Sequence, residues 1–447
     1  MSVSISPSGK ILIITFSYAP MQNPRAFRWT ALAEFWAKQG ISVEVICAWT
    51  PGQPAEETIS GVRISRVGMK WAELLRADLQ RRRPQTEPNS YNSSKESTFL
   101  RLVYTIINFI NRQLWHRIYW PDTACLWFFP AIRKARQLLK EGHYCTLITV
   151  SPPFTSVLVG YKLQKHFKNL LWLIDLGDPF CFLKEASCNN FYLYERLNYW
   201  FEKKAFDLAK AITVTTKSTA EKYAELFHDN KDKIKVIPPL LSISEAKPNG
   251  NRVFSWSDKI RLVFVGTLYK TIREPNYLLS LFQKALETHT GPELELHFFG
   301  DVSTCMKSFA LYENLLNSKV FLHGVVPRNT VTRAMCEADI LVNIGNDTLY
   351  QLPSKVVEYA ACGRPIINIA KSEQDSSMGF FRGYPYKLFL IHKREVPDQT
   401  QLAEFNQFLK IAKVQINRHV IQNWVAPHHI DMVSAEYMRL ITACHSK

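Results

Sequence analysis

The chain has 447 residues, 47% hydrophobic and 21% charged, enough for two domains with substantial cores, and this excludes a disordered polyelectrolyte. Its 55 Lys and Arg against 39 Asp and Glu give a formal charge of +16, and its nine scattered cysteines, with no CxxC and no Cys/His cluster at metal spacing, predict a reduced, cytoplasmic protein without structural zinc. No long apolar run of membrane-spanning length occurs, so no spanning helix is expected.

The polar opening MSVSISPSGK leads into ILIITFSYAP, too short for a signal-peptide core with a cleavage site and predicted as a first strand over 11–15. The loop SYAPMQNPRAF follows, then a helix over about 25–39 closed by Gly40, then the strand VEVICAW. This succession opens a doubly wound parallel sheet, whose first loop lies at the ligand-binding edge. Arg25 and Arg28 stand there as candidates for an anionic group, or else as exposed arginines at a helix start. Residues 53–66 read as a short loop and a strand, GVRISRV.

The charge is concentrated. Between 61 and 136 there are 14 Lys or Arg against 5 Asp or Glu, interleaved with aromatics from Phe99 to Phe129. Such a stretch suits an anionic membrane surface, or a helical subdomain with a solvated basic face. Nucleic acid is not expected as a partner, because no RNA- or DNA-binding motif accompanies it. Its centre, RRRPQTEPNSYNSSKES, reads as an exposed or disordered loop.

A helix over 130–140, the strand TLITVS and a helix from Ser151-Pro152-Pro153 to about 167 come next. The buried strand LLWLID then ends in Asp175, Leu176, Gly177, Asp178 and Pro179. Aspartates leaving the end of a parallel strand are placed for chemistry; the alternative is an Asx turn with Asp178 before Pro179. In the helix over 192–209, Tyr192, Tyr194, Tyr199, Trp200, Phe201 and Phe206 are expected mostly in the core. AITVTTKSTAEKYAELF and IKVIPPL complete a first domain over 1–242, with its basic aromatic insertion at about 69–128, and polar residues 243–259 read as a linker.

A second domain is expected over 260–425. Its first strand, IRLVFVG, stops at Gly266, which lets the backbone approach a ligand closely. Thr267, Lys270 and Arg273 follow in a basic loop before a helix. ELELHFFGD is the next strand, and KVFLHGVVPRNTVTRAMCEADILVNIG gives a short strand, a Pro-started helix and a strand over 340–344. After it, Asn346 and Gln351 lie in a polar loop as contacts to a sugar or phosphate, a helix begins near Ser354, Gly363 closes it, and a strand covers 366–369. Ser354 is a good N-cap whose following N–H groups suit a phosphate, and Lys355 adds a charge there. Glu358 lies on Lys355's side of the turn, where a carboxylate suits the hydroxyls of a ribose; alternatively Lys355 and Glu358 are a solvated helical ion pair. The tail from about 404 reads as helices, the last, over 426–447, with apolar Met432, Val433, Tyr437 and Leu440 on one side.

PSKVVEYAACGRPII resembles the nucleotide-binding signature of the family 4 glycosyltransferases of the GT-B fold, in the branch whose loop reads PSK, then a Glu-Tyr pair, then Gly-x-Pro. HGVVP, its helix and ADILVNIGN resemble the same family, and the likeness extends more faintly over most of the chain. The resemblance implies an α/β fold of two Rossmann-like doubly wound domains facing a cleft, with a last helix crossing back to the first. It further implies transfer of a sugar from a nucleoside diphosphate sugar, with retention; no cofactor or metal is expected, and the basic aromatic flank suits a glycan or lipid-linked acceptor in surface polysaccharide or glycoconjugate synthesis. The cysteine usage points to the cytoplasm, and the basic aromatic stretch, if it meets a membrane, to a peripheral place on its inner face. Gly266 in the family is followed by a basic residue and by another seven positions after the Gly; Thr267 departs, Lys270 stands in, and Arg273 matches. Ser354 and Lys355 are implied to hold the diphosphate and Glu358 the ribose, while Tyr350 replaces a frequent second Glu. In the first domain Ser151 stands where many members have a histidine, leaving Asp178 and Arg25 as the catalytic candidates. The rivals are a nucleotide-sugar epimerase of the same fold, a nucleotide-binding scaffold without catalysis and, well behind these, a basic nucleic-acid binder, which a steep salt dependence with RNA or DNA would reveal.

Overall fold

The computed structural model describes residues 9–68, 118–184, 187–241, 251–270, 272–353 and 355–446. Ser354 and residues 69–117 of the basic aromatic segment lie outside these. The chain divides into two compact units, Met1–Pro238 with Ile430–Lys447, and Pro239–His429. The divisions thus fall at Pro238/Pro239 and His429/Ile430 instead of 242 and 425, and residues 251–259, expected as linker, belong to the second unit.

In the first unit, β1 (Lys10–Thr15), β2 (Val43–Ala48), β3 (Glu56–Ile59), β4 (Val62–Val67), β5 (Tyr144–Ser151), β6 (Leu171–Leu176), β7 (Ala211–Val214) and β8 (Ile234–Val236) form one sheet in the order β3-β4-β2-β1-β5-β6-β7-β8. All neighbours are parallel except β3 and β4. Burial on both faces explains why the central strands read as unbroken apolar runs, Ile11 to Ile14 being fully enclosed. Residues 53–59 were expected as a loop; EETI instead pairs antiparallel with β4 across Ser60 and Gly61, both at positive φ, the backbone of a tight hairpin. Its exposed polar residues carry no apolar alternation to signal a strand.

Helices α1 (Pro24–Lys38), α2 (Phe128–Glu141), α3 (Thr155–Gln164), α4 (Phe191–Leu208) and α5 (Lys217–Leu226) belong to this unit. The expectation for α4 fails. Tyr192, Tyr199 and Trp200 are exposed, Tyr194 and Phe201 half-buried, and of the six only Phe206 is fully enclosed. The buried face is Phe191, Asn198, Glu202, Ala205 and Phe206, because the polar members of that stripe are hydrogen-bonded inside and turn the aromatics outward.

In the second unit, β9 (Ile260–Val265), β10 (Leu294–Phe299), β11 (Val320–Gly324), β12 (Ile340–Ile344), β13 (Ile366–Ala370) and β14 (Lys387–Ile391) form an all-parallel sheet in the order β11-β10-β9-β12-β13-β14. Its helices are α6 (Asn276–Thr288), α7 (Met306–Ala310), α8 (Arg328–Glu337), α9 (Lys355–Ala361), α10 (Ser376–Phe381), α11 (Gln399–Leu409) and α12 (Arg418–Val425). Both sheets have the doubly wound order in which winding reverses beside the first strand, between β1 and β5 and between β9 and β12. Loops leaving those strand ends diverge and leave room for a ligand.

The last helix, α13 (Ile430–His445), packs in the first unit. Its buried residues are Val433, Ser434, Tyr437, Met438 and Ile441; Met432, expected on this face, is exposed. Trp36 of α1 donates to the Ser434 hydroxyl at 2.9 Å, and Trp29 packs edge-on against Tyr437.

Candidate functional site

At the reversal point of the second unit, the loop after β9 meets the loop after β12. Gly266 ends β9 at a φ of 154°, and Gly300 ends β10 at 130°. A Cβ on Gly300 would stand 2.1 Å from the Gly266 carbonyl oxygen, so these loops approach closely only because Gly300 lacks a side chain. Backbone hydrogen bonds between Tyr269 and Arg273, at 3.0 and 2.9 Å, then turn the chain so that Arg273 comes back toward Gly266. The guanidinium donates to Asn346 Oδ1 and, at 3.5 Å, to the Thr267 carbonyl. Arg273 Nε is enclosed without a hydrogen-bond partner. Burial pushes this arginine's pKa down from its ordinary value, though a guanidinium stays protonated. Among the described residues no carboxylate pairs with it; its partners are neutral oxygens.

Asn346 is set by a buried carboxylate that sequence reasoning passed over. Asp375 Oδ2 accepts from the Asp347 N–H at 2.7 Å, and its Oδ1 accepts from the Ser377 N–H at 2.8 Å, capping α10. A Cβ on Gly345 would lie 2.4 Å from Asp375 Oδ2, so the loop needs glycine there. Gln351 is half-buried, its carbonyl accepting from the Ser376 hydroxyl at 2.9 Å. Lys270 is exposed on the loop after β9.

Lys355 and Glu358 occupy the first turn of α9, which is fixed beneath them by Tyr359: its hydroxyl accepts from the Val265 N–H at 2.7 Å. Glu358 is not part of a solvated pair. It is 4% exposed, with Oε2 accepting from Lys355 and Oε1 from Arg328 Nη2 at 3.0 Å. Arg328, the first residue of α8, was not singled out; its position directly after HGVVP was the available signal. His323, at the end of β11, stacks on Phe299 with centroids 4.1 Å apart and shares a hydrogen bond with His297 at 3.1 Å. Burial lowers the His323 pKa; burial and His323 itself hold His297 down, at about 4.

In the first unit, Asp175 and not Asp178 is the hub. Asp175 is fully buried at the end of β6 and accepts from Trp29 Nε1 at 2.9 Å, Tyr437 at 2.7 Å, Thr213 at 2.7 Å and Arg25 Nη1 at 3.3 Å. Burial alone would raise its pKa, but Arg28, Arg25 and these hydrogen bonds hold it below the ordinary aspartate value. Arg25 lies across Gly177: a Cβ there would fall 1.6 Å from Arg25 Nη2. Arg28, a sequence candidate for an anion, is instead structural. It is buried and donates to the Pro238 carbonyl at 2.7 Å and to Tyr437 Oη at 3.0 Å, seating α13. Asp178 is half-buried and makes no hydrogen bond or ion pair with a described residue. Asp178 and Arg25 thus stand in one unit, and Gly266, Thr267, Lys270, Arg273, Asn346, Gln351, Lys355 and Glu358 in the other.

Residues 259–377 match the family model described as glycosyl transferases group 1. No curated protein matches the chain by sequence. Among solved structures, sucrose-phosphate synthase of Thermosynechococcus elongatus superposes with a TM-score of 0.62 at 14% identity, over 98% of this chain and 99% of that one. HepE of Anabaena, in complex with UDP-glucose, gives 0.53 at 11% over 97% and 100%. WaaG, a glycosyltransferase involved in lipopolysaccharide biosynthesis, gives 0.53 at 12% over 97% and 99%. The fold is GT-B. These likenesses extend over the whole length of both partners, and the GT-B architecture agrees with two Rossmann-like sheets and a last helix packed in the first unit. No described helix is long and apolar enough to cross a membrane.

Proposed function

We propose that the chain is a glycosyltransferase that moves a sugar, with retention, from a nucleoside diphosphate sugar to a glycan or lipid-linked acceptor at the inner face of the membrane. The observation that carries the reading is Arg273: a guanidinium at the reversal point, held by neutral oxygens, with no carboxylate partner among the described residues. A charge so placed favours an anion that brings its own counter-charge, and a diphosphate leaving an anomeric carbon is such an anion. In this reading Lys355 turns from Glu358 toward the phosphates, and Glu358, still paired with Arg328, accepts the ribose hydroxyls. Gly266 and Thr267 offer backbone to the phosphates, with Lys270 beside them, while Asn346 and Gln351 face the sugar. These groups meet the diphosphate charge without a metal. The family match over 259–377 and the UDP-glucose complex of HepE support this choice of donor class. In the first unit, Asp178 receives the acceptor, and Arg25 braces the turn that carries it.

The test is incubation with UDP-, GDP- and ADP-sugars and a panel of glycan and lipid-linked acceptors, following release of nucleoside diphosphate and transfer of label. Acceptor-dependent transfer that is lost in Glu358→Ala supports the reading. Interconversion of the nucleotide sugar without an acceptor would replace it with an epimerase, and binding without turnover with a scaffold.

A further inference from the structure

The helices that carry Arg328 and Glu358 meet a second time at their far ends. Cys336, near the end of α8, and Cys362, just after α9, bring their Sγ atoms to 3.7 Å, and each is partly exposed. Cys336 lies a little over two turns beyond Arg328, and Cys362 one turn beyond Glu358. The ion pair and the thiol pair are therefore two rungs between the same helices, the first of which holds the ribose-binding candidate. Arg364 adds a third tie, its Nε donating to the Cys336 carbonyl at 3.0 Å. A disulfide holds its sulfurs about 2.0 Å apart, so closing this pair asks for a small approach and not for a rearranged fold.

We propose that Cys336 and Cys362 are a modification site: a dithiol that exchanges with a low-molecular-weight disulfide, such as oxidised glutathione, to form an intramolecular bridge that draws α8 and α9 together and weakens nucleotide binding at Glu358. The coupling to nucleotide rests on the donor reading above; the bridge does not. The Cys336 thiolate attacks one sulfur of oxidised glutathione, forming a mixed disulfide and releasing one glutathione thiolate. Cys362 then gives up its proton and attacks the Cys336 sulfur, releasing the second glutathione. Two protein thiols are oxidised and one small disulfide is reduced to two thiols. Roles follow from the surroundings: the Cys362 hydrogen bond and the Arg364 charge lower the Cys336 pKa, whereas the Cys336 contact and burial raise that of Cys362. Cys336 is the attacking thiol and Cys362 the resolving one.

The experiment equilibrates the full chain with reduced and oxidised glutathione in varied ratio, alkylates free thiols and maps the peptides. The expected result is a peptide pair joining Cys336 to Cys362, reversed by dithiothreitol and missing in Cys336→Ser and Cys362→Ser. Calorimetry with UDP, GDP and ADP on the oxidised and reduced protein is expected to show affinity lowered about fivefold or more by the bridge, and unresponsive to oxidant in either serine variant. Amide exchange over 328–361, which needs no ligand, is expected to slow when the bridge forms. Separate alkylation of both thiols under oxidising conditions overturns the proposal, as does a bridge that leaves that exchange unchanged. If none of the three nucleotides binds the reduced protein, the donor reading fails, and the peptide map and exchange still decide the bridge.

Discussion

Glu202 sits inside the first unit with its carboxylate fully enclosed, accepting from Tyr223 at 2.6 Å and from the Cys181 N–H at 2.9 Å. Burial raises its pKa from the ordinary 4.5 to about 7, the hydrogen bonds only partly opposing this. A carboxyl whose pKa is higher in the folded than in the unfolded chain stabilises the fold most when protonated. That contribution is full below pH 4.5, declines as pH rises through about 7, and is gone above it. The shift corresponds to about 3 kcal/mol over that window. Glu202→Gln, which cannot ionise, loses the pH term and roughly one hydrogen bond, about 1 kcal/mol. The variant is therefore expected to be less stable than the parent near pH 4 and more stable by about 2 kcal/mol near pH 8. Urea titrations followed by tryptophan fluorescence suit the assay, because nine of the 11 tryptophans precede Pro238 and report the first unit. His297, held at about 4 in the second unit, loses stability in the opposite direction as pH falls from 6.5, and taking the variant-to-parent difference at each pH cancels it. A difference that stays constant from pH 4 to 8 refutes the reasoning.

Three other perturbations separate scaffold from site. Tyr437→Phe removes a donor to buried Asp175 and an acceptor for Arg28, and is expected to cost about 1–3 kcal/mol and to speed amide exchange in 430–445; unaltered exchange would deny α13 this seat. Gly177→Ala displaces Arg25 from Asp175, while Trp29, Thr213 and Tyr437 still hold that carboxylate, so transfer activity should fall with a melting temperature close to the parent's. Gly300→Ala drives a Cβ into the Gly266 carbonyl, which as backbone cannot swing aside; nucleotide binding should be lost, and retained affinity would show the loop after β9 to be dispensable.

The parallel strands other than β14 were legible because each is a short apolar run, and the reversal points followed from their order. What stayed hidden was polar structure inside. Asn198 and Glu202 occupy the buried face of α4, so a count of its aromatics pointed the wrong way round the helix. In the candidate site the local pair Lys355 and Glu358 was readable from spacing, but Arg328 reaches Glu358 from 30 residues away. Such contacts depend on where two helices start against the same sheet edge, which local pattern does not encode. Arg28 shows the converse: a basic residue at a ligand-facing helix start is committed to Pro238 and Tyr437, and α13 lies far off in sequence. The strand LFLI of β14 and the break between α11 and α12 were also passed over, the first because a lone apolar run of that length marks strand and core loop alike.

The central claim is that Arg273 meets the diphosphate of a sugar donor. Its most direct test is calorimetric titration of parent and Arg273→Ala with a nucleoside and with the corresponding nucleoside diphosphate, for uridine, guanosine and adenosine. A charge-assisted contact of about 1.5–3 kcal/mol predicts diphosphate affinity reduced by roughly 10- to 150-fold in the variant, with the weak binding of the nucleoside unchanged. Equal loss for nucleoside and diphosphate, or no loss for either, would contradict the account.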